Sequence, residues 1–232
     1  MTRPRSADFH VDGKPLSWSA QDRAEALIQA RHQDFDLVIL GGGITGAGVA
    51  REAALRGISF LLVDKEDFGF GTSSRSSKLV HGGLRYLPQG DIGLVRESAT
   101  ERNWLHAALP NLVRPLGFHY CAFKGGKDTP LMVRAGLVLY ELLSSAFARF
   151  KSPGRPRFLQ PAEMAAQEPA FKQEGLQLAG LYFDTATDDA RLVLETIKEA
   201  RDFSGGRSVA LNYVQAERIL REEGHVSGEE DG

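Results

Sequence analysis

One cysteine, Cys121, is all the thiol that this 232-residue sequence contains. That excludes a disulfide framework within the chain, and a reducing compartment is expected. Set in an apolar run, Cys121 reads as a small buried hydrophobe rather than a nucleophile. Long apolar runs are missing too: none approaches the roughly 18 uncharged residues of a membrane-spanning helix. Charge of one sign is also lacking. Lys and Arg total 28 against 30 Asp and Glu, a net −2, which gives no electrostatic footprint for nucleic acid. Residues 1–14 mix Arg3 and Arg5 with Asp8 and Asp12 and have no apolar core, so no secretory signal is expected. No internal repeat is visible and no metal-ligand set is expected. What remains is an ordinary globular composition, 42% hydrophobic and 25% charged. The length suits one large domain or two small ones.

The most informative stretch is Asp36-Leu-Val-Ile-Leu-Gly-Gly-Gly-Ile-Thr-Gly-Ala-Gly-Val-Ala50. A short apolar run enters three glycines, a small-residue helical segment follows, and Gly57 ends it. A second apolar run, Ile58 to Val63, then reaches Asp64. Strand, glycine turn, helix, strand and acid form the pattern of a dinucleotide-binding βαβ unit. Gly41 permits the tight turn, Gly43 lets backbone approach a pyrophosphate, and Gly46 lets the helix pack close to the sheet. The helix N-terminus offers N–H groups and its positive dipole end to phosphate. Asp64 follows Gly46 by 18 positions (64 − 46), close to the roughly 20 expected of a ribose-binding acid. A structural glycine turn is the bland alternative.

The second stretch runs from Lys65 to Leu87 and is dense in hydroxyls, glycines and cations. Alone it reads as a polar surface loop. Directly after a ribose-binding acid it also reads as a second wall of the nucleotide site. Thr72, Ser73 and Ser74 are expected to open a helix toward the pyrophosphate. Gly82 and Gly83 would let backbone lie against a flat ring, and Arg85 is a strong anion donor just beyond.

Elsewhere the spacing is mostly structural. Ser19-Ala-Gln-Asp22 resembles a capping box before a short helix to about Arg31, expected beside the first strand. Ile92, Val95, Ala99, Arg102, Leu105 and Leu109 recur at helical spacing, ended by Pro110. Leu116 to Phe123 reads as a strand, Leu131 to Phe150 as a strongly apolar helix, Pro161 onward as a short helix, and Leu176 to Phe183 as a strand. Thr187-Asp-Asp-Ala-Arg191 starts a helix that Gly205-Gly206 stops, and Val209 to Val214 is a strand expected to join a parallel sheet. Leu131 to Phe150 keeps two readings: a core or interdomain helix, or an amphipathic helix at a membrane surface with Arg134 and Arg149 reaching toward headgroups.

Three motifs together carry a likeness: Gly41-Gly-Gly-Ile-Thr-Gly-Ala-Gly48, Gly71-Thr-Ser-Ser-Arg-Ser-Ser-Lys-Leu-Val-His-Gly-Gly-Leu-Arg-Tyr-Leu87 and Thr187-Asp-Asp-Ala-Arg-Leu192. On them, from about Asp34 to about Gly224, the sequence resembles the FAD-dependent, aerobic glycerol-3-phosphate dehydrogenase family. The resemblance implies an α/β fold. It has a Rossmann-like FAD-binding domain of the glutathione-reductase-like (D-amino-acid-oxidase-like) type and an interleaved, incomplete substrate domain. The segments expected are an arm and short helix over 1–33, FAD-binding segments over 34–94 and 171–232, and a substrate or cap segment over 95–170.

The resemblance also implies oxidation of sn-glycerol 3-phosphate to dihydroxyacetone phosphate, with hydride passing to the flavin N5 and electrons to a quinone. Gly41, Gly43, Gly46 and Asp64 would hold the ADP half of FAD. Thr72, Ser73, Ser74 and Lys78 would follow the pyrophosphate and ribityl chain. His81, Gly82, Gly83 and Leu84 would lie near the isoalloxazine, and Arg85 and Tyr86 would face the substrate. His81 is either a base or a residue packed on the flavin. A cytoplasmic location on the inner face of the cytoplasmic membrane and a homodimer are further expectations. Family chains continue well past this one, so a truncated chain is expected, with the general base beyond its end. The alternatives are a glycerol-3-phosphate oxidase using oxygen and a non-catalytic FAD-binding fragment.

Overall fold

A computed structural model describes residues 18–20, 22–145 and 150–220, and, as backbone alone, the short strands at 10–11, 14–15, 221–222 and 225–226. The rest of the 1–16 arm and of the polar end after 220 lies outside the described residues. In chain order the elements are β1 (His10–Val11), β2 (Lys14–Pro15), α1 (Arg23–His32), β3 (Leu37–Leu40), α2 (Ile44–Leu55), β4 (Phe60–Asp64), β5 (Leu79–Val80), α3 (Ile92–Ala108), β6 (Val113–Phe123), α4 (Pro130–Ser145), β7 (Arg157–Leu159), α5 (Pro161–Gln167), β8 (Leu176–Thr187), α6 (Asp189–Ser204), β9 (Val209–Asn212), β10 (Arg221–Glu222) and β11 (His225–Val226). They divide into two compact units, Met1–Ser76 with Asp189–Gly232, and Ser77–Asp188. The sequence-drawn limits at 94/95 and 170/171 both fall inside the second unit.

The first unit holds a parallel sheet ordered β3-β4-β9. β4 and β9 are buried on both faces, whereas β3 buries Ile39 and leaves Val38 and Leu40 exposed, and side-chain alternation builds two cores. Ile39, Phe60, Leu62 and Ala210 face one side, where Ala47, Ala50, Ala53 and Ala54 of α2 meet Val193, Ile197 and Ala200 of α6. The alanines let the two helices approach closely. Leu61, Val63, Val209 and Leu211 face the other side, against Ala26, Leu27 and Ala30 of α1. The short helix therefore lies on β4 and β9 rather than beside the first strand. Arg23 fastens it there, donating to the Asn212 side chain at 2.9 Å and the Asn212 carbonyl at 2.7 Å.

Local chemistry moves several strand ends from their expected places. β4 starts at Phe60 rather than Ile58, because Gly57 turns with φ +76° and Ser59 is bonded to Asp36. β9 stops at Asn212 rather than Val214. Tyr213 takes φ +53°, and the Tyr213 and Val214 amides donate to the Glu66 and Asp64 carbonyls.

In the second unit β8 is central and antiparallel to three strands. β6 runs along one edge, while β5 and β7 lie end to end on the other. α4 covers one face with Val133 and Leu137 against Ala122 and Leu178. Leu159, Met164, Leu176 and Ala179 fill the other, with Cys121 packed beside them. Burial pushes the Cys121 thiol up from its ordinary value, in keeping with an inert side chain. α4 is described to Ser145; residues 146–149 of the expected helix lie outside the described residues, and Phe150 sits in a bend.

Candidate functional site

The glycine turn joins β3 to α2 and is built by backbone. Gly41 takes φ +105°, a left-handed conformation that suits glycine. Its amide donates to the Val63 carbonyl at 2.8 Å, extending the ladder one residue past the strand. A β-carbon on Gly46 would overlap the Gly41 carbonyl, so the first turn of α2 packs directly on the loop. A β-carbon on Gly43 would stand 3.1 Å from the Ser73 hydroxyl. Gly42, which the motif reading passed over, is equally constrained, since its β-carbon would enter the Phe68 ring. The run of three glycines was the available signal.

Asp64 ends β4 and reaches back to this turn. Oδ2 accepts the Gly42 amide at 2.7 Å and Oδ1 accepts the Glu66 amide at 2.9 Å. The carboxylate is half-buried and each oxygen keeps a second lone pair. Thr72–Ser74 forms a single 3-10 turn rather than the start of a longer helix. Ser73 still meets α2: its hydroxyl accepts the Ile44 amide at 2.9 Å. Within the first unit, then, Gly41, Gly43, Gly46, Asp64 and Ser73 converge on the N-terminus of α2, with Thr72 and Ser74 on either side of Ser73. A cradle that any side chain would fill, beside a helix N-terminus and a carboxylate, fits the ADP and pyrophosphate of a dinucleotide.

The remaining candidates belong to the second unit. Lys78 is exposed, takes φ +58°, and its carbonyl accepts the Thr187 amide at 2.9 Å. β5 follows, and the Val80 carbonyl accepts the Thr185 hydroxyl at 2.8 Å. The Gly82 amide donates to Asp184 Oδ1 at 2.8 Å. Gly83 turns with φ +80°. His81 Nδ1 is buried and has no partner among the described residues. A buried polar atom left open carries a penalty, and a bound group able to bond it would remove that penalty. Leu84 packs against the α4 core rather than standing free. Arg85 is exposed; its guanidinium lies over the Tyr86 ring, 4.7 Å from the centroid, and donates to the Tyr86 hydroxyl.

Sequence reasoning also missed the polar group behind Gly82. Arg102 is fully buried and pairs with Asp184 at 2.8 Å, with the Tyr140 hydroxyl bonded to both. Burial, together with the Asp184 charge, pushes the Tyr140 hydroxyl far above its ordinary value, and burial raises Tyr182 to about 12. Both phenols stay neutral in the physiological range. A cavity of about 350 Å³ in this unit is lined by Glu141, Lys151 and Arg155 among others, and by none of the expected site residues. Among the described residues, no helix is long and apolar enough to cross a membrane.

A family model described as DAO, FAD dependent oxidoreductase, matches residues 36–231. The aerobic glycerol-3-phosphate dehydrogenase of Staphylococcus aureus (strain USA300) is 42% identical over 189 residues, which is 82% of this chain and 33% of that protein. Among solved structures, the glycerol-3-phosphate dehydrogenase from Bacillus halodurans complexed with FAD matches with a TM-score of 0.64 and 31% identity, over 91% of this chain and 33% of that one. The L-alpha-glycerophosphate oxidase from Mycoplasma pneumoniae with FAD bound matches with a TM-score of 0.57, over 82% of this chain and 48% of that one; at 16% identity this shows shared fold alone. The chain spans about a third of the length of the dehydrogenases it matches.

Proposed function

The chain belongs to the FAD-dependent oxidoreductase family, and on that premise we propose that it oxidises sn-glycerol 3-phosphate to dihydroxyacetone phosphate. FAD is the cofactor of the family. When bound it supplies the two-electron acceptor, and the protein supplies orientation, charge and proton transfer. The observation that carries the reading is the convergence of Gly41, Gly43, Gly46, Asp64 and Ser73 on the start of α2.

In this reading the glycine turn and the α2 N-terminus take the ADP phosphates, and Asp64 takes the adenosine ribose with its remaining lone pairs. Thr72, Ser73, Ser74 and Lys78 follow the pyrophosphate and ribityl chain, and His81, Gly82, Gly83 and Leu84 serve the flavin ring. Arg85 binds the substrate phosphate, because its planar fork donates to two oxygens at once. Tyr86 supports that guanidinium from beneath. His81 offers its open Nδ1 as the proton partner for the bound alcohol or for the flavin edge. Oxidation at C2 needs a group to take the hydroxyl proton, and His81 is the candidate within this chain.

The electron acceptor we assign is a membrane quinone, reached from the cytoplasmic face. α4 supports this. Leu131, Val138 and Leu142 are exposed along one stripe at helical spacing, with Met132 and Leu139 beside them. Val133, Leu137 and Tyr140 are buried on the other side. Such a helix suits a membrane surface. A homodimer completes the assignment.

Reconstitution tests the reading. The purified chain mixed with FAD should retain a yellow flavin after gel filtration. sn-Glycerol 3-phosphate should then bleach it, and a quinone analogue should restore it more quickly than oxygen. Recovery with oxygen alone would favour the oxidase. Retained flavin that the substrate never bleaches would leave a binding module.

A further inference from the structure

The ion pair behind Gly82 is expensive to bury. Arg102 is fully buried and Asp184 nearly so, and two charges removed from water repay their desolvation only with close geometry and further bonds. Here the bonds concentrate on one atom. Asp184 Oδ1 accepts from Arg102 Nη1, from the Tyr140 hydroxyl and from the Gly82 amide, each at 2.8 Å. Arg102 is held in turn by Asn103 Oδ1 at 2.9 Å, by the Ser144 hydroxyl and by the Phe183 carbonyl at 3.2 Å. A β-carbon on Gly82 would overlap the Tyr140 hydroxyl. Backbone and network are therefore fitted to each other without spare room.

The run from Lys78 to Gly82 is fastened to β8 at every step. The Lys78 carbonyl, the β5 ladder, the Val80 carbonyl and the Gly82 amide all find partners there. Among the described residues, His81 Nδ1 is a buried side-chain atom of this run with no partner. A network built only for core stability has no need to end on a peptide N–H beside a histidine kept open.

We propose that Asp184, held by Arg102 and Tyr140, is the positioning residue of the His81–Gly83 backbone and through it sets how this segment meets the flavin. The second half rests on the reading of the segment given under Proposed function. Asp184 touches neither substrate nor cofactor in this scheme; it acts through the Gly82 peptide.

The experiment uses the full chain, with and without FAD, as wild type, Asp184→Asn, Tyr140→Phe and Met164→Ala. Met164 is fully buried in the core on the other face of the sheet, so its truncation matches the loss of stability without touching the network. Residue-resolved hydrogen exchange at the Gly82 amide reads the positioning directly. It should accelerate about tenfold or more in both network variants relative to Met164→Ala at matched Tm. FAD dissociation constants and the visible flavin band should move in the network variants and stay put in Met164→Ala. Tyr140→Phe keeps the ring and the ion pair, so it carries the test if Asp184→Asn fails to fold. Equal Gly82 exchange in all variants overturns the proposal, as does an equal change in flavin binding in Met164→Ala. A wild type that protects Gly82 but takes up no FAD overturns the cofactor reading while the positioning of the backbone stands.

Discussion

Asp64 Oδ2 accepts the Gly42 amide at 2.7 Å and so ties the end of β4 to the turn that leaves β3. The same carboxylate is the proposed ribose acceptor, so in that reading one side chain would both shape the turn and bind what the turn receives. Asp64→Asn keeps one acceptor oxygen, which can serve the Gly42 or the Glu66 amide but not both, and loses the charge. A hydrogen bond to a charged group contributes roughly 1.5–3 kcal/mol. FAD affinity should fall by about tenfold or more, and Tm should fall as well because one backbone amide loses its partner. Titration of flavin fluorescence checks this; an unchanged Kd would remove Asp64 from the ribose site.

Gly46 and Gly48 both lie inside α2, yet replacing them with alanine should have opposite signs. Alanine is the better helix former by roughly 0.8–1 kcal/mol. Nothing stands within 4 Å of a β-carbon on Gly48, whereas one on Gly46 overlaps the Gly41 carbonyl. Gly48→Ala should therefore raise Tm slightly. Gly46→Ala should lower it by several degrees, because forced overpacking costs about 1–3 kcal/mol, and it should weaken FAD binding. Thermal melts of the two variants decide; equal shifts would contradict the close packing.

The turn at Gly41 and the close packing at Gly46 were readable from sequence because their task is local. Strand, turn and helix N-terminus lie within a dozen or so residues, and Gly46 answers to the Gly41 carbonyl, whereas Gly42 and Gly43 answer to Phe68 and Ser73 further along the chain. The Arg102–Asp184 pair is different. Its members are 82 positions apart, and nothing near Arg102 in sequence shows its partner. A sign was present all the same: Arg102 occupies a core-facing place in the apolar spacing of α3. An arginine there demands a buried acid, but which acid depends on how β8 lies against α3. Of the two readings of Leu131 to Phe150, burial of Val133 and Leu137 in α4 agrees with a core helix, while Leu131 and Leu142 are exposed and their meeting a membrane is a proposal. Periodicity locates such a helix without saying what covers its second face.

Asp36 links pH to stability. Its carboxyl is held below its ordinary value, 3.8, chiefly by the Ser59 hydroxyl and then by the Ser59 amide, both donating to Oδ2. A depressed native pKa means that the stabilisation is complete above about pH 4 and is lost as pH falls through the lowered value. At pH 7 the wild type should melt above Asp36→Asn, and the gap should close between pH 4 and pH 2. Melts across that range check it; a gap independent of pH would contradict the role of the charge.

The exposed stripe of α4 makes a further prediction. Leu131 is 76% exposed and Leu142 56%, so charges there cost the fold little. Leu131→Glu with Leu142→Glu should leave Tm within a few degrees. If α4 meets lipid, the double variant should lose co-sedimentation with anionic vesicles that the wild type shows, since burial of a leucine side chain contributes about 1.5–3 kcal/mol. Equal sedimentation of the two proteins would assign the stripe to another partner.

Arg85 tests the substrate. Its guanidinium is exposed, rests on Tyr86 and is bonded to the Tyr86 hydroxyl, which limits its freedom before any ligand arrives. A phosphate facing it would gain a bidentate, charge-assisted contact. Removing such a contact costs roughly 1.5–3 kcal/mol, so Arg85→Ala in an active form of the enzyme should raise KM for sn-glycerol 3-phosphate about 10- to 150-fold. Binding lost equally from ground and transition states leaves kcat unchanged. Arg85→Lys keeps the charge but not the fork and should fall between the two. Oxidation of unphosphorylated glycerol, however slow, should be indifferent to all three side chains. Steady-state kinetics on both substrates gives the answer, and an Arg85→Ala enzyme with an unchanged KM would move the phosphate site elsewhere.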